Sequence, residues 1–181
     1  MLRLFCFATL ITITGCASGE SRPIWIRQHG GLADAEYQKR AQRVAAPLLV
    51  RYSQPTLALT VQVLDADSLG AFGWRDGQIY ITRPLIALLD DDELAAVVSH
   101  ELGHFLDRGH LHAVVGLQGC KEDLDAETRA DLIGMELLRR EGIPSDALPH
   151  MLERIMRSDQ WPVECRELLR HRLESLSRRA H

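Results

Sequence analysis

The sequence predicts an α+β domain, mostly helical, with a small antiparallel sheet. Three observations carry this. Apolar residues recur at helical spacing in several separate segments, whereas only two short runs, 56–64 and 78–82, are β-branched and apolar. The chain has 181 residues, 46% of them hydrophobic and 25% charged, which is enough for one sizeable core and too little for two typical domains. A formal net charge of -4 and a pI near 6.0 give no field that would hold polyanions, which argues against nucleic acid as a partner.

Residues 1–15 are expected to be a leader. Arg3 forms a basic start, an apolar run follows from Leu4 to about Ile13, and small residues precede Cys16. The run is too short to span a bilayer as a helix. Its end, Ile13-Thr14-Gly15-Cys16, resembles a bacterial lipobox, which implies cleavage before Cys16 and lipidation of that residue. Several acyl chains, at about 0.8 kcal/mol per buried CH₂, make a stable anchor. Ala17 stands where an aspartate favours inner-membrane retention, so the resemblance points to the outer membrane, facing the periplasm. Cys120 and Cys165 then remain, and in an oxidising compartment an even remainder of two reads as a disulfide. Residues 16–31 mix Ser, Gly, Pro and charge without periodicity and read as the lipidated terminus and a linker.

The domain proper is expected over 32–181. A helix is predicted over 32–52, where Ala41, Val44, Ala45, Leu48 and Leu49 fall on one face and Asp34 lies near the start. The runs 56–64 and 78–82, with 70–74 between them and the turn signal Arg75-Asp76-Gly77, give the sheet. Asp90 followed by Glu93 is a capping-box pattern, so a helix starts there, and its stripe of Leu94, Val97, Val98, Leu102, Phe105 and Leu106 carries it to about Asp107. Further helices are predicted over 121–140, ended by Gly142 and Pro144, and over 145–157 and 162–179.

The capped helix contains His100-Glu101-Leu102-Gly103-His104. Residues four apart on a helix lie one above the other, so both imidazoles can face one ion while Glu101 reaches a water beside it. Two neutral imidazoles suit zinc, and a third protein ligand with an open fourth position makes such a site catalytic. The next helix carries Glu127 and Asp131, an acid pair on the face that also holds Ala130 and Gly134. Either these acids are a solvated face, or the small residues pack against Gly103, with Glu127 as the third ligand and Asp131 accepting a ligand's ring N–H.

The blocks 78–104 and 127–144 resemble the HtpX-like family of gluzincin metallopeptidases, which takes in CAAX prenyl endopeptidases and periplasmic BepA-type members. The resemblance implies a zincin-like fold with the sheet beside the HExxH helix, and one Zn²⁺ per chain held by His100, His104 and Glu127. It implies Glu101 as general base and an edge strand at Ala71, Phe72 and Gly73 that pairs with the backbone of a protein or peptide substrate. Gly70 replaces the family's usual asparagine. No His-Pro pair precedes the helix that begins near Arg172, so the oxyanion-stabilising group is open between His150, His171 and neither. The expected function is a lipid-anchored endopeptidase of the cell envelope acting on unfolded or misassembled proteins, against a rival reading as a silent zinc-binding scaffold or chaperone.

Overall fold

The computed structural model describes residues 22–53, 58–74, 76–107 and 123–178. The expected leader, the lipidation site Cys16 and the disulfide half Cys120 lie outside these residues.

Chain order gives α1 (Arg22–Gln28), α2 (Ala35–Tyr52), β1 (Thr60–Leu64), β2 (Ala71–Gly73), β3 (Gln78–Thr82), α3 (Arg83–Leu88), α4 (Asp91–Leu106), α5 (Leu124–Arg140), α6 (Ala147–Arg157), a short 3₁₀ turn (Val163–Cys165) and α7 (Arg166–Ser177). The molecule is mostly helical with one three-stranded sheet, an α+β arrangement. Among the described residues no helix is long and apolar enough to cross a membrane.

The sheet differs from the expected antiparallel one. Its strand order is β1-β3-β2, with β1 parallel and β2 antiparallel to β3, so the sheet is mixed. The reason lies in β3, where Ile79, Tyr80, Ile81 and Thr82 are all buried. A strand apolar on both faces belongs in the middle of a sheet. The three-residue β2 therefore takes the edge, and β1 is also shorter than its apolar run suggested. Cross-strand register then sorts the side chains. Val61, Val63, Ile79 and Ile81 join the main helical core, while Leu64, Phe72 and Tyr80 form a second cluster on the opposite face.

That second cluster corrects the linker reading. Residues 22–28, expected as tether, form α1, and Trp25 is 7% exposed against Phe72 and Tyr80, with ring centroids at 5.4 and 5.2 Å. About two turns of helix are too few to show a period, yet they supply the aromatic cover that the back of the sheet requires.

The helices follow their sequence signals closely. Asp90 accepts from the Glu93 amide at 2.9 Å and Glu93 returns a bond to the Asp90 amide at 3.0 Å, which completes the capping box of α4. Arg154 of α6 donates to the other oxygen of Glu93 at 2.7 Å, so this buried acid also fastens α6 to the start of α4. Arg40 of α2 reaches the Leu89 carbonyl at 2.7 Å and Asp91 at 3.0 Å, joining the end of α3 to the start of α4. Gly142, at φ 71°, follows α5, and the Ile143 amide bonds back to Leu138 at 3.0 Å.

Candidate metal centre

Helices α4 and α5 approach closely because small residues face each other. A Cβ at Gly103 would lie 2.9 Å from the Cα of Ala130 and closer still to its carbonyl oxygen, and one at Gly134 would lie 3.1 Å from the His100 amide nitrogen. Both contacts are with backbone, so neither position has room for a side chain. This spacing lets Glu127, on α5, reach side chains on α4.

Three donors meet there. His100 Nε2 and His104 Nε2 are 3.1 Å apart, and the Glu127 carboxylate lies 3.3 Å from the first and 3.2 Å from the second. All three residues are buried, at 8, 8 and 3% exposure. A tetrahedral ion bonded at about 2.0–2.1 Å has ligand–ligand edges of roughly 3.3–3.4 Å. The two imidazole nitrogens and the Glu127 carboxylate stand at comparable separations, and the group, whose ligand atoms all lie within 4.8 Å of one another, could hold a metal ion. With the imidazoles neutral, Glu101, Glu127, Asp131 and Arg172 leave a formal surplus of negative charge that suits a dication.

A second layer holds these side chains in place. Asp131, 0% exposed, accepts from His100 Nδ1–H at 2.8 Å, which fixes the ring with Nε2 directed at the site. Arg172 of α7 grips Asp131 through two bonds of 2.6 and 2.9 Å and reaches Glu127 at 3.1 Å. Burial opposes ionisation of Glu127, but the two histidines and Arg172 outweigh it and hold the carboxyl well below the usual range. Asp131 is likewise held low against its burial by Arg172 and His100. Burial and the Arg172 charge push His100 down, but hydrogen bonds that it donates to Asp131 and Glu127 raise it to about 10.

Glu101 is placed differently. It is 4% exposed, its Oε2 has no hydrogen-bond partner among the described residues, and burial pushes its carboxyl upward. A Cβ at Gly73 would lie 3.0 Å from that oxygen, so the edge strand β2 passes directly over it. Ala71 and Gly73 lie on the α4 side of β2, whereas the Phe72 side chain points into the aromatic cluster behind the sheet. The strand therefore offers its backbone and the small Ala71 side chain toward the site.

The two oxyanion candidates lie elsewhere. His171 is half-exposed and pairs with Glu167 at 3.2 Å, and His150 is exposed at a separate groove lined by Asp90 and Glu153. Arg172 is the residue whose contacts the sequence reading missed. A signal existed, since Arg172 sits on the buried stripe of α7 with Leu169 and Leu176, a position that charge occupies only when paired. Cys165 is buried at the start of α7.

Comparison with protein-family models matches residues 32–122, about half of the chain, to Peptidase family M48. No curated protein matches the chain. The matched range includes His100, Glu101 and His104 and ends before α5, so the convergence of Glu127, Asp131 and Arg172 rests on the structure itself.

Proposed function

The chain belongs to peptidase family M48, and from that premise we propose that it is a zinc-dependent endopeptidase whose metal ligands are His100, His104 and Glu127 and whose general base is Glu101. The observation that carries this is the convergence of two buried imidazole nitrogens, 3.1 Å apart, on the Glu127 carboxylate, whose two oxygens lie 3.3 and 3.2 Å from them, beside a Glu101 oxygen with no partner among the described residues. A structural zinc site closes with four protein ligands and needs no base; three ligands with a base alongside fit a catalytic one.

Zinc, when bound, supplies the Lewis acid that acidifies a water and polarises the scissile carbonyl. Glu101 takes the proton from the attacking water and delivers it to the leaving amine. Its upward-shifted carboxyl brings its basicity closer to neutral pH, where proton transfer in both directions is efficient. Asp131 holds the His100 ring by Nδ1–H, and Arg172 keeps Asp131 and Glu127 ionised and in place. The exposed edge of β2 pairs with an extended substrate backbone and lays it across Glu101, a role supported by the contact at Gly73.

The same proposal includes the HtpX-like, BepA-type character of the chain, and a lipid at Cys16 that tethers it to the outer membrane. The order of basic residue, apolar run and Cys16 supports the tether. Unfolded or misassembled envelope proteins are the substrates that fit a strand-pairing site. A Cys120–Cys165 disulfide is part of this reading, consistent with burial of Cys165.

The test is casein cleavage by the chain lacking residues 1–15, supplied with zinc, beside Glu101→Gln. Turnover lost in the variant while zinc is retained supports the peptidase. The scaffold reading draws on the remoteness of His150 and His171 from the site. If both proteins bind zinc and neither cleaves, that reading replaces the first.

A further inference from the structure

Helix α1 shortens the connection between Cys16 and the folded domain. With residues 22–28 packed on the sheet, residues 17–21 are all that separates the lipidation site from Arg22. At about 3.5 Å per residue, the chain from Cys16 to Arg22 reaches no more than roughly 21 Å even when fully extended. A domain of this size is on the order of 40 Å across. A chain anchored at Cys16 therefore keeps the α1 side of the sheet toward the lipid, because turning the opposite side inward carries α1 beyond its reach.

The side chains of that face match the position. Trp25 and His29, four apart, stack on each other and turn toward Phe72. Pro23, Ile24, Arg27 and Gln28 consequently fall on the outer side of the helix, and all four are exposed. Leu32 bridges Leu64 beside β1, and paired residues project to the same face of a sheet, so Leu32 also lies on the α1 side. Ile24 and Leu32, at 42 and 51% exposure, are two of the four large apolar side chains left exposed among the described residues. The other two, Val50 and Val163, lie on elements that pack against the opposite face. Around α1, Arg22 pairs with Asp76 and Arg83 with Asp65, whereas exposed Arg27 has no ion pair among the described residues.

We propose that the outer face of α1, with Ile24, Arg27 and Leu32, rests on the membrane that carries the Cys16 lipid, its partner being anionic phospholipid headgroups at the hydrocarbon boundary. The proposal rests on lipidation of Cys16. Two apolar side chains and one guanidinium bind a bilayer weakly by themselves; the tether makes the contact intramolecular and so populates it. The consequence concerns the substrate. Phe72 points toward α1, whereas a Cβ at Gly73 would point at Glu101, so the sheet stands between the membrane and the metal centre. The edge of β2 then receives extended chains from the aqueous side, and segments embedded in lipid do not reach it.

The test uses the full lipidated chain in vesicles of phosphatidylethanolamine and phosphatidylglycerol. Ile24, Leu32 or Val50 is replaced in turn by a diazirine-bearing leucine analogue, and lipid adducts are quantified by mass spectrometry after irradiation. Adducts at 24 and 32 are expected to exceed those at 50 severalfold, and Arg27→Glu is expected to lower the yield at 24 severalfold. Equal labelling at the three positions, or more at 50, overturns the docking face, as does a yield at 24 that Arg27→Glu leaves unchanged. Mass analysis of the N-terminal peptide separates this result from its premise. Acyl groups on Cys16 without preferential labelling at 24 and 32 leave the anchor standing and remove the docking, whereas a Cys16 without acyl groups removes both. Casein cleavage by the soluble chain reads the peptidase independently of either.

Discussion

Arg172 and Asp131, 41 positions apart in sequence, form a two-bond ion pair in the interior, at 2.6 and 2.9 Å, between α7 and α5. Through Asp131 the pair reaches His100, and through a third bond it reaches Glu127, so one guanidinium positions two of the three proposed metal ligands. Helix α7 is thereby part of the proposed metal centre without contributing a donor to it.

Replacing Asp131 with Asn keeps the volume and weakens the hold on the His100 ring. Zinc affinity is expected to fall roughly 10–100-fold, as for other partners of ligating histidines. Competition against a chromogenic chelator measures this directly. Arg172→Met leaves two buried carboxylates without their counter-charge and is expected to destabilise the fold by about 3–5 kcal/mol, read by denaturant unfolding.

Gly103→Ala tests the close approach of α4 and α5. The added methyl meets the backbone of Ala130, so the helices must separate. Overpacking of this kind costs about 1–3 kcal/mol, and because the ligands are divided between the two helices, zinc binding should weaken along with stability. A variant that melts normally and holds zinc as well as wild type would contradict the packing described.

Metal removal should lower the melting temperature, since a ligand present at about 100 times its Kd stabilises by about 2.7 kcal/mol. Thermal scans with and without chelator check this. The zinc-dependent increment should survive in Glu101→Gln and disappear in His104→Ala, which separates the base from the ligands.

The pH dependence of the chelator-treated protein follows from the direction of each shift. Glu127 and Asp131 are held low in the folded state, so their contribution is present above the ordinary carboxylate range and is lost as pH falls through the folded values. His100 is raised to about 10, so its contribution is complete below about 6.5 and is lost as pH rises toward 10. Buried Glu101, shifted upward, adds a further loss as pH rises above its ordinary range. Without metal, stability should therefore peak in mildly acidic solution. Zinc affinity should run the other way and increase with pH, because the ion must displace a proton from His100. Melting curves from pH 4 to 10, with and without zinc, distinguish the two trends.

Trp25→Ala should cost about 3–5 kcal/mol, the range for removing a large aromatic from a packed position. Were residues 22–28 a tether, the change would leave the melting temperature unaltered.

Local order along the helices was legible in the sequence itself. The capping box of Asp90 and Glu93, the stripe of α4, the glycine after α5 and the i, i+4 pairs of His100 with His104 and Glu127 with Asp131 all concern residues within a few positions of one another, where helix geometry fixes what can meet. Even the packing of Gly103 on Ala130 was foreshadowed by small residues on facing stripes. Tertiary structure alone decided the rest. The order β1-β3-β2 depends on which strand is buried on both faces, and α1 belongs to the domain because the back of the sheet is apolar and Trp25 packs on it. Arg172 enters the site through bonds with Asp131, 41 positions away, and no periodicity within α7 records which helix it will meet. Sequence pattern reports what a segment buries; the partner it buries against is set by how all the segments fill one core together.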